Sequence, residues 1–192
     1  MNRRSLLASI AGTGATLAGC IGEIDYGGDP KNDRSNDMPT MTVSIDLVDE
    51  GPDSLTFDIT LQEDALTGTS APTFDIAVNN TGDETASWSQ AGDDFAFPAR
   101  TAGDTIAIGS ETEIESGLMD ADGCARVESG IGRDHVEVTT ELEPGEELKQ
   151  RYALAGRDDA IDNACPPTGI HRAEYEYGNH GTWGFELELT AA

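Results

Sequence analysis

Apolar and polar residues alternate along short segments of this chain from residue 41 onward, and this pattern constrains the fold more than any other feature. In the segment 55–62, every second residue is apolar (Leu, Phe, Ile and Leu). Successive side chains of a β-strand point to opposite faces of the sheet, so the pattern predicts strands with one buried face and one solvent-facing side. Helical periodicity is nearly absent, and one short helical turn is predicted at 111–119. The chain is therefore predicted to be all-β.

About eight or nine strands are predicted, joined by turn sequences. They cover residues 43–47, 55–62, 74–78, 86–90, 105–108, 136–142, 147–154, 170–177 and 183–189. The Asn-Thr-Gly-Asp sequence at 80–83 predicts a hairpin that joins the strands before and after it, and a Pro-Gly turn follows at 143–146. About eight short strands in roughly 150 residues indicate one antiparallel β-sandwich domain over 41–192. The stretch 95–132 is Gly-rich, acidic and irregular, and is predicted as long loops around one or two short strands.

The charge of the chain limits its environment and its partners. It has 11 basic and 37 acidic residues and a net charge of −26. In ordinary salt this charge repels itself and destabilises the compact state, whereas in multimolar salt the Debye length falls to about 3 Å and the repulsion is screened. The composition therefore predicts a halophilic host, with an archaeon favoured. Nucleic acid is not expected as a partner, because the sequence has no basic patch that would displace counterions from phosphates.

The first twenty residues have the features of an export signal. Arg3 and Arg4 precede a modest apolar run at 6–18, which is too short to span a bilayer, since a spanning helix needs about 20 apolar residues. Paired arginines before a weakly apolar run resemble the signals of the twin-arginine pathway. The run ends in Leu-Ala-Gly-Cys, which matches the lipobox whose cysteine, here Cys20, is lipidated and becomes the mature N-terminus. The alternative is a signal-anchor helix that contains a cysteine by chance.

The assignment of Cys20 as the lipidated residue also predicts a linker and a pair of cysteines in the mature protein. Residues 21–40 are rich in Gly, Pro, Asn and Asp without any period, and are predicted to be a disordered linker between the lipid and the domain. If Cys20 carries the lipid, Cys124 and Cys165 remain, and an extracellular pair is expected to oxidise to a disulfide. The alternatives for this pair are metal ligation and free thiols.

Three sequence motifs resemble those of immunoglobulin-like domains in secreted prokaryotic proteins. These are the Phe-Asp-Ile-Ala-Val-Asn-Asn-Thr-Gly-Asp-Glu segment at 74–84, the Leu-Glu-Pro-Gly-Glu turn at 142–146 and the Pro-Thr-Gly-Ile-His-Arg-Ala segment at 167–173. The chain thus resembles the small immunoglobulin-like lipoproteins of halophilic archaea. The resemblance implies an immunoglobulin-like β-sandwich and no particular activity. The chain departs from the pattern at Ile170, where a tyrosine is usual.

Residues that carry catalytic or metal chemistry form no recognisable motif. The histidines are His135, His171 and His180, and the last two lie near opposite ends of the predicted final hairpin, which argues against a shared site. A cupredoxin site would need a methionine after Cys165, and none follows. The Asp-Ala-Asp-Gly sequence at 120–123 fails the spacing of an EF-hand loop, and the motifs of serine hydrolases, zinc proteases and P-loops are absent from the sequence. No metal, cofactor or enzymatic activity is predicted.

Two further features have both a structural and a functional interpretation. Asn79 begins an Asn-Asn-Thr sequon and is a candidate glycosylation site. Trp88, Trp183, Tyr175 and Tyr177 could form an aromatic binding face, but their period-two spacing on strands favours the core.

The sequence predicts a non-enzymatic binding or structural protein of the cell envelope. It is expected on the extracellular face of the cell membrane, held by the lipid on Cys20, with a cell-envelope protein as its partner. The alternatives are a protease-inhibitor-like sandwich, suggested by a loose similarity at the Pro-Gly-Glu turn, and a small exported enzyme. Neither the ligand nor the oligomeric state follows from the sequence.

Overall fold

The structure is a computed structural model that describes the strand-rich part of the chain. The described residues are 40–52, 54–91, 96–98, 101–119, 123–128, 137–161 and 165–192. The predicted signal peptide with Arg3, Arg4 and Cys20, the linker up to residue 39 and His135 lie outside the described residues.

The described part contains thirteen strands, one α-helix and one short 3-10 turn. The strands are β1 (Met41–Val48), β2 (Leu55–Glu63), β3 (Ala65–Leu66), β4 (Thr73–Asn80), β5 (Ala86–Ala91), β6 (Thr101–Ala102), β7 (Ile106–Ser110), β8 (Leu118–Met119), β9 (Arg126–Val127), β10 (Glu137–Leu142), β11 (Glu147–Arg157), β12 (Gly169–Glu176) and β13 (Thr182–Ala191). The helix α1 spans Glu111–Gly117, and the 3-10 turn spans Gly178–His180.

The strands form three sheets, which we call the main sheet, the terminal sheet and the ribbon. The main sheet has the order β2-β4-β11-β7-β6, with β9 joined to β11 and β8 to β9. The terminal sheet has the order β12-β13-β1-β3, and the ribbon consists of β5 and β10. All pairs are antiparallel except the short pairing of β9 with β11. The predictions of an all-β, antiparallel fold and of the final hairpin, β12–β13, are confirmed.

One core joins the faces of the sheets. Phe74 of β4 packs edge-on against Phe185 of β13 with ring centroids 5.8 Å apart, and Phe57 of β2 stacks on Trp183 with centroids 4.0 Å apart. The alternation that predicted β2 produces this contact, since Phe57 lies on the inward face together with the buried Leu55. Burying a large apolar side chain contributes about 1.5–3 kcal/mol.

The predicted hairpin at 80–83 is wrong, although both of its strands exist. β4 lies in the main sheet, whereas β5 pairs with β10 in the ribbon. The chain also crosses between these sheets at the Pro-Gly turn, from β10 to β11. The two connections are therefore arches between layers. Turn residues specify that the chain reverses direction, but they do not specify whether the flanking strands pair with each other.

Asn80 fastens the two arches together. Its side-chain amide donates to the carbonyls of Glu84 and Leu142, both at 2.8 Å, and its Oδ1 accepts from the Gly82 N–H at 2.9 Å. Its backbone N–H donates to the Glu146 carbonyl, and its own carbonyl accepts from the Gly145 N–H. Asn80 is fully buried, and its bond to Leu142 is shielded from water.

The stretch 95–132 is more regular than predicted. Its described residues contain β6, β7, α1, β8 and β9. The predicted helical turn is confirmed as α1, which begins with a capping box between Ser110 and Glu113. The Ser-x-x-Glu spacing is a helix-start signal that the sequence contains. Strands of two residues are too short to show a period, which explains why they were missed.

The predicted disulfide between Cys124 and Cys165 is confirmed. The two residues are separated by 41 positions, and their Cα atoms lie 4.8 Å apart. Cys124 is fully buried. The bond joins the segment before β9 to the segment before β12, and it replaces the alternatives of metal ligation and free thiols.

Candidate binding groove

The ribbon lies beside β12, yet in the described part of the chain no strand pairing joins β5 to β12. The Ser87 N–H points away from β10, because it donates to a side chain on the far side of β5. The Ser89 carbonyl also accepts a bond from that far side. In an antiparallel pair, alternate residues direct their backbone groups away from the partner strand. The outer edge of β5 is therefore formed by Ser87 and Ser89.

The edge of β12 that faces β5 is open over its last residues. The Arg172 carbonyl accepts from the Gly103 N–H, so alternate residues from Arg172 onward point away from β13. The Tyr177 N–H, in turn, donates to Gly181 on the β13 side. By this alternation Glu174 and Glu176 direct their backbone groups toward the ribbon.

Two side chains occupy the space between the strand edges, and we call them the plugs. The Tyr175 hydroxyl donates to the Ser89 carbonyl at 2.8 Å. The Ser87 N–H donates to Nε2 of His180 at 3.3 Å, and Nδ1 of His180 lies 3.4 Å from the Ser54 hydroxyl. Both plugs satisfy strand-edge groups that would otherwise pair with another strand.

The turn between β12 and β13 brings His180 to β5. Gly178 has φ of 57° and Gly181 has φ of 103°, and both lie in the region that favours glycine. The 3-10 turn between them carries His180 back across the edge of β12. The Gly-Asn-His-Gly sequence at 178–181 joins the two strands of the final hairpin, and its glycines supply the backbone conformations that this turn requires.

A groove of about 400 Å³ opens on the outer face of this gap. Its lining consists of Ser87, Trp88, Ser89, Thr139, Glu176, Gly178 and Asn179. Ser89 and Thr139 lie opposite each other in the ribbon, with their hydroxyl oxygens 3.3 Å apart. On the same face of β10, Glu137 and Glu141 are exposed beside them. The groove is thus hydroxyl-rich and bordered by carboxylates.

Aromatic rings support the groove from below. Trp88 and Tyr177 are buried and meet edge-on with centroids 5.2 Å apart. Tyr177 donates its hydroxyl hydrogen to the Ala96 carbonyl, and burial raises its pKa well above the usual value. Trp183 is buried as well, so the core interpretation is confirmed for these three residues. Tyr175 is half-buried, and its hydroxyl reaches the gap instead.

A second, smaller hollow lies on the outer face of the main sheet. It has a volume of about 180 Å³ and is lined by Asp58, Thr60, Asp75, Ala77, Glu147 and Lys149. Asp75 is buried and accepts from Arg151 at 2.8 Å, while the Lys149 ammonium lies 3.4 Å from it. The hydrogen bond from Arg151 lowers the pKa of Asp75, although burial acts in the opposite direction. The ion pairs of Asp75 with Arg151 and Lys149 account for the charged lining of this hollow.

The substitution Asp75→Asn is expected to lower the free energy of unfolding by about 1 kcal/mol at neutral pH, because Arg151 and Lys149 are half-exposed and their pairing is weakened by water. The pKa of Asp75 is lowered on folding, so its stabilisation is present above the unfolded-state value of about 4 and is lost as the pH falls through the lowered value. Urea unfolding of both proteins should therefore give a difference at pH 7 that shrinks in acid. Asp58→Asn, at an exposed carboxylate of the same hollow, is the control and should leave stability unchanged.

The remaining sequence candidates lie apart from the groove. Asn79 is half-buried within β4, paired with Thr56 and Glu147, and the turn follows Asn80. His171 Nε2 lies 2.8 Å from the Pro167 carbonyl, so His171 and His180 have separate surroundings.

The described residues lack both a metal-binding cluster and a membrane-spanning helix. No set of three or more His, Cys, Asp or Glu residues there is arranged to hold a metal ion. Within the same ranges, no helix has both the length and the apolar character needed to cross a membrane.

Comparison with protein families, with curated proteins and with solved structures finds no match to this chain. The sequence features and the groove are therefore the basis for the proposed function.

Sequence reasoning missed the groove residues because nothing marks them locally. Ser87, Ser89 and Thr139 are ordinary solvent-facing positions of alternating strands. Glu176 ends β12, and Asn179 lies within the 3-10 turn. They lie close together only because β5 pairs with β10 and lies beside β12 without pairing with it. The available signal was the polar Ser-Trp-Ser-Gln sequence of β5, which has two serines on its outer face.

Proposed function

We propose that this protein is a non-enzymatic binding module of a halophile's cell envelope, anchored by a lipid on Cys20 to the extracellular face of the membrane. The observation that carries the proposal is the groove between β5 and β12, where two strand edges face each other without pairing. Strand edges that are left unpaired are ready contact sites for another chain. The groove is the contact surface in this proposal.

The cysteines support the proposed anchor. The chain has three cysteines, and Cys124 and Cys165 are bonded to each other. Cys20 is therefore left as the remaining thiol, directly after the apolar run that follows Arg3 and Arg4. A disulfide also fits an oxidising, extracytoplasmic environment. The net charge of −26 fits a salt-rich one.

The arrangement of strands supports an immunoglobulin-like β-sandwich as the proposed fold type. The main sheet packs against the terminal sheet around one core, and the ribbon extends the second layer beside β12. Two arches that cross between layers are typical of Greek-key sandwiches.

The substitution Cys20→Ser is expected to release the protein from the membrane of a halophilic expression host, because the lipid has no other attachment point. Fractionation of cells into membrane and medium, followed by immunoblotting, measures the release. Ser5→Ala, which leaves the arginine pair and the lipobox intact, is the control and should stay in the membrane fraction. Equal retention of the Cys20→Ser protein would refute the lipid anchor.

The binding role is tested by crosslinking the anchored protein in intact envelopes at the host's native salt concentration. A partner should be recovered with the natural protein and lost with Ser89→Trp, because Ser89 lies on the exposed lining of the groove. Thr112→Trp places the same ring on the exposed surface of α1 and should preserve the crosslink. Recovery of no partner, or equal recovery with both variants, would reject the groove as the contact surface.

A further inference from the structure

We infer that the groove takes an extended, cationic segment of a partner protein, which adds as a strand to the outer edge of β5. The inference rests on the proposed binding role of the groove and adds the kind of ligand and the mode of binding. In this mode backbone hydrogen bonds supply affinity, and side chains on alternate residues supply specificity.

The edge of β5 presents its backbone groups in the pattern that an added strand needs. Ser87 and Ser89 are two positions apart and both point outward. A strand that pairs with them would be bonded to Ser87 and Ser89 through alternate residues of its own. The partners now present are single atoms of the two plugs, which a pairing strand would replace.

An added strand would occupy the gap in place of the plugs. Directly paired strands lie about 4.8 Å apart, which leaves no space for a side chain between their edges. Here the Tyr175 side chain reaches across from β12 to bond Ser89, so the two edges stand further apart than a pair. Tyr175 and His180 are both half-buried, and the Tyr175 ring packs edge-on against Tyr177 with centroids 5.2 Å apart, so an added strand must displace the Tyr175 hydroxyl from Ser89.

The opposite edge of the gap favours the same occupant. Glu174 and Glu176 direct their backbone groups toward the ribbon, so a segment in the gap has a second edge within reach. The 3-10 turn closes one end of the groove at Asn179.

The negative charge around the groove favours a basic segment as the ligand. Glu137, Glu141 and Glu176 border the groove, are exposed, and have no ion-pair partner among the described residues. Glu174 is different, because Arg172 pairs with it at 3.1 Å. In brine the Debye length is about 3 Å, so only charges in direct contact attract, and an arginine or lysine must touch these carboxylates. The net charge of −26 disfavours a second copy of this chain as the partner.

The test uses three short synthetic peptides and the full-length protein with Cys20 replaced by serine. The first peptide alternates threonine and arginine. The second has the same sequence with N-methyl groups on alternate residues, which removes the backbone donors and keeps the charge. The third has glutamate in place of arginine. Binding is measured by fluorescence anisotropy in high salt, and the contacted residues are identified from the backbone amide signals of Ser87 and Ser89 in NMR spectra.

We expect the first peptide to bind and to shift the Ser87 and Ser89 amides, and the other two peptides to bind at least about tenfold more weakly, since a few lost backbone hydrogen bonds or charge contacts have that effect. Tyr175→Phe should raise the affinity by about three- to tenfold, because the Ser89 carbonyl is no longer occupied. Glu176→Gln should lower it by about two- to fivefold. Glu115→Gln on the exposed side of α1 makes the same change of charge away from the groove and should have no effect.

Equal binding of the N-methylated peptide would overturn strand addition, and equal binding of the glutamate peptide would overturn the preference for cations. Failure of all three peptides to bind overturns the inference, even if a partner is crosslinked through Ser89, and that result would leave the binding role intact. Dimerisation of the free protein through β5, seen by sedimentation and abolished by Ser89→Trp, would identify a second copy as the occupant and also overturn the inference.

Discussion

Replacing Asn80 by alanine is expected to lower the free energy of unfolding by about 3 kcal/mol or more. Its side chain makes three hydrogen bonds in a fully buried place, and two of them reach the carbonyls of Glu84 and Leu142. A buried polar group that loses its partner costs about 1–3 kcal/mol. The loss should be large because both arches depend on the same side chain.

Urea unfolding followed by the fluorescence of the buried Trp88 and Trp183 measures this effect. The matched control is Asn79→Ala, which changes the neighbouring residue in the same way. Asn79 is half-buried, so its truncation should stay within about 0.5 kcal/mol. Similar losses for the two variants would show that Asn80 does not fasten the arches.

Removing the disulfide by the double substitution Cys124→Ala and Cys165→Ala is expected to lower the free energy of unfolding by about 4 kcal/mol. The bond closes a loop with a sequence separation of 41, and the entropy of such a loop in the unfolded chain gives this magnitude. Cys124 is fully buried, so the smaller alanine side chain adds a further loss of packing.

The comparison is made by urea unfolding with and without a thiol reductant. The natural protein should lose stability when the reductant is added, and the double variant should not respond. The Cys20→Ser protein keeps the bonded pair and should respond as the natural protein does. A double variant as stable as the natural protein would show that the crosslink is not needed for stability.

The local character of most strands could be predicted from the sequence, because burial on one face leaves a period of two. β2 and β13 show this most clearly, and both occur where they were predicted. The pairing of strands could not be predicted in the same way. The residues at 80–83 specify a turn, but the hydrogen bond from Asn80 to Leu142 joins positions 62 apart and decides that this turn crosses between sheets.

The candidate site was less predictable than the fold for a related reason. Tyr175 alternates with solvent-facing residues in step with Ala173 and Tyr177 and was therefore predicted to lie in the core. β12 is the outermost strand of the terminal sheet, so the Tyr175 hydroxyl reaches sideways to β5. A groove between two unpaired strand edges results from the order of strands in the sheets. The sequence of each strand alone does not show that order.

The bond between Cys124 and Cys165 makes the chain between them a covalent ring that contains β10 and β11. A protease that cuts once within the ring opens it without separating the two products. The part before Cys124 and the part after Cys165 then stay joined through sulfur. The strand that borders the groove on the ribbon side, β5, precedes the ring, and β12 follows it. Both walls of the groove therefore remain on one covalent molecule after a single cut within the ring.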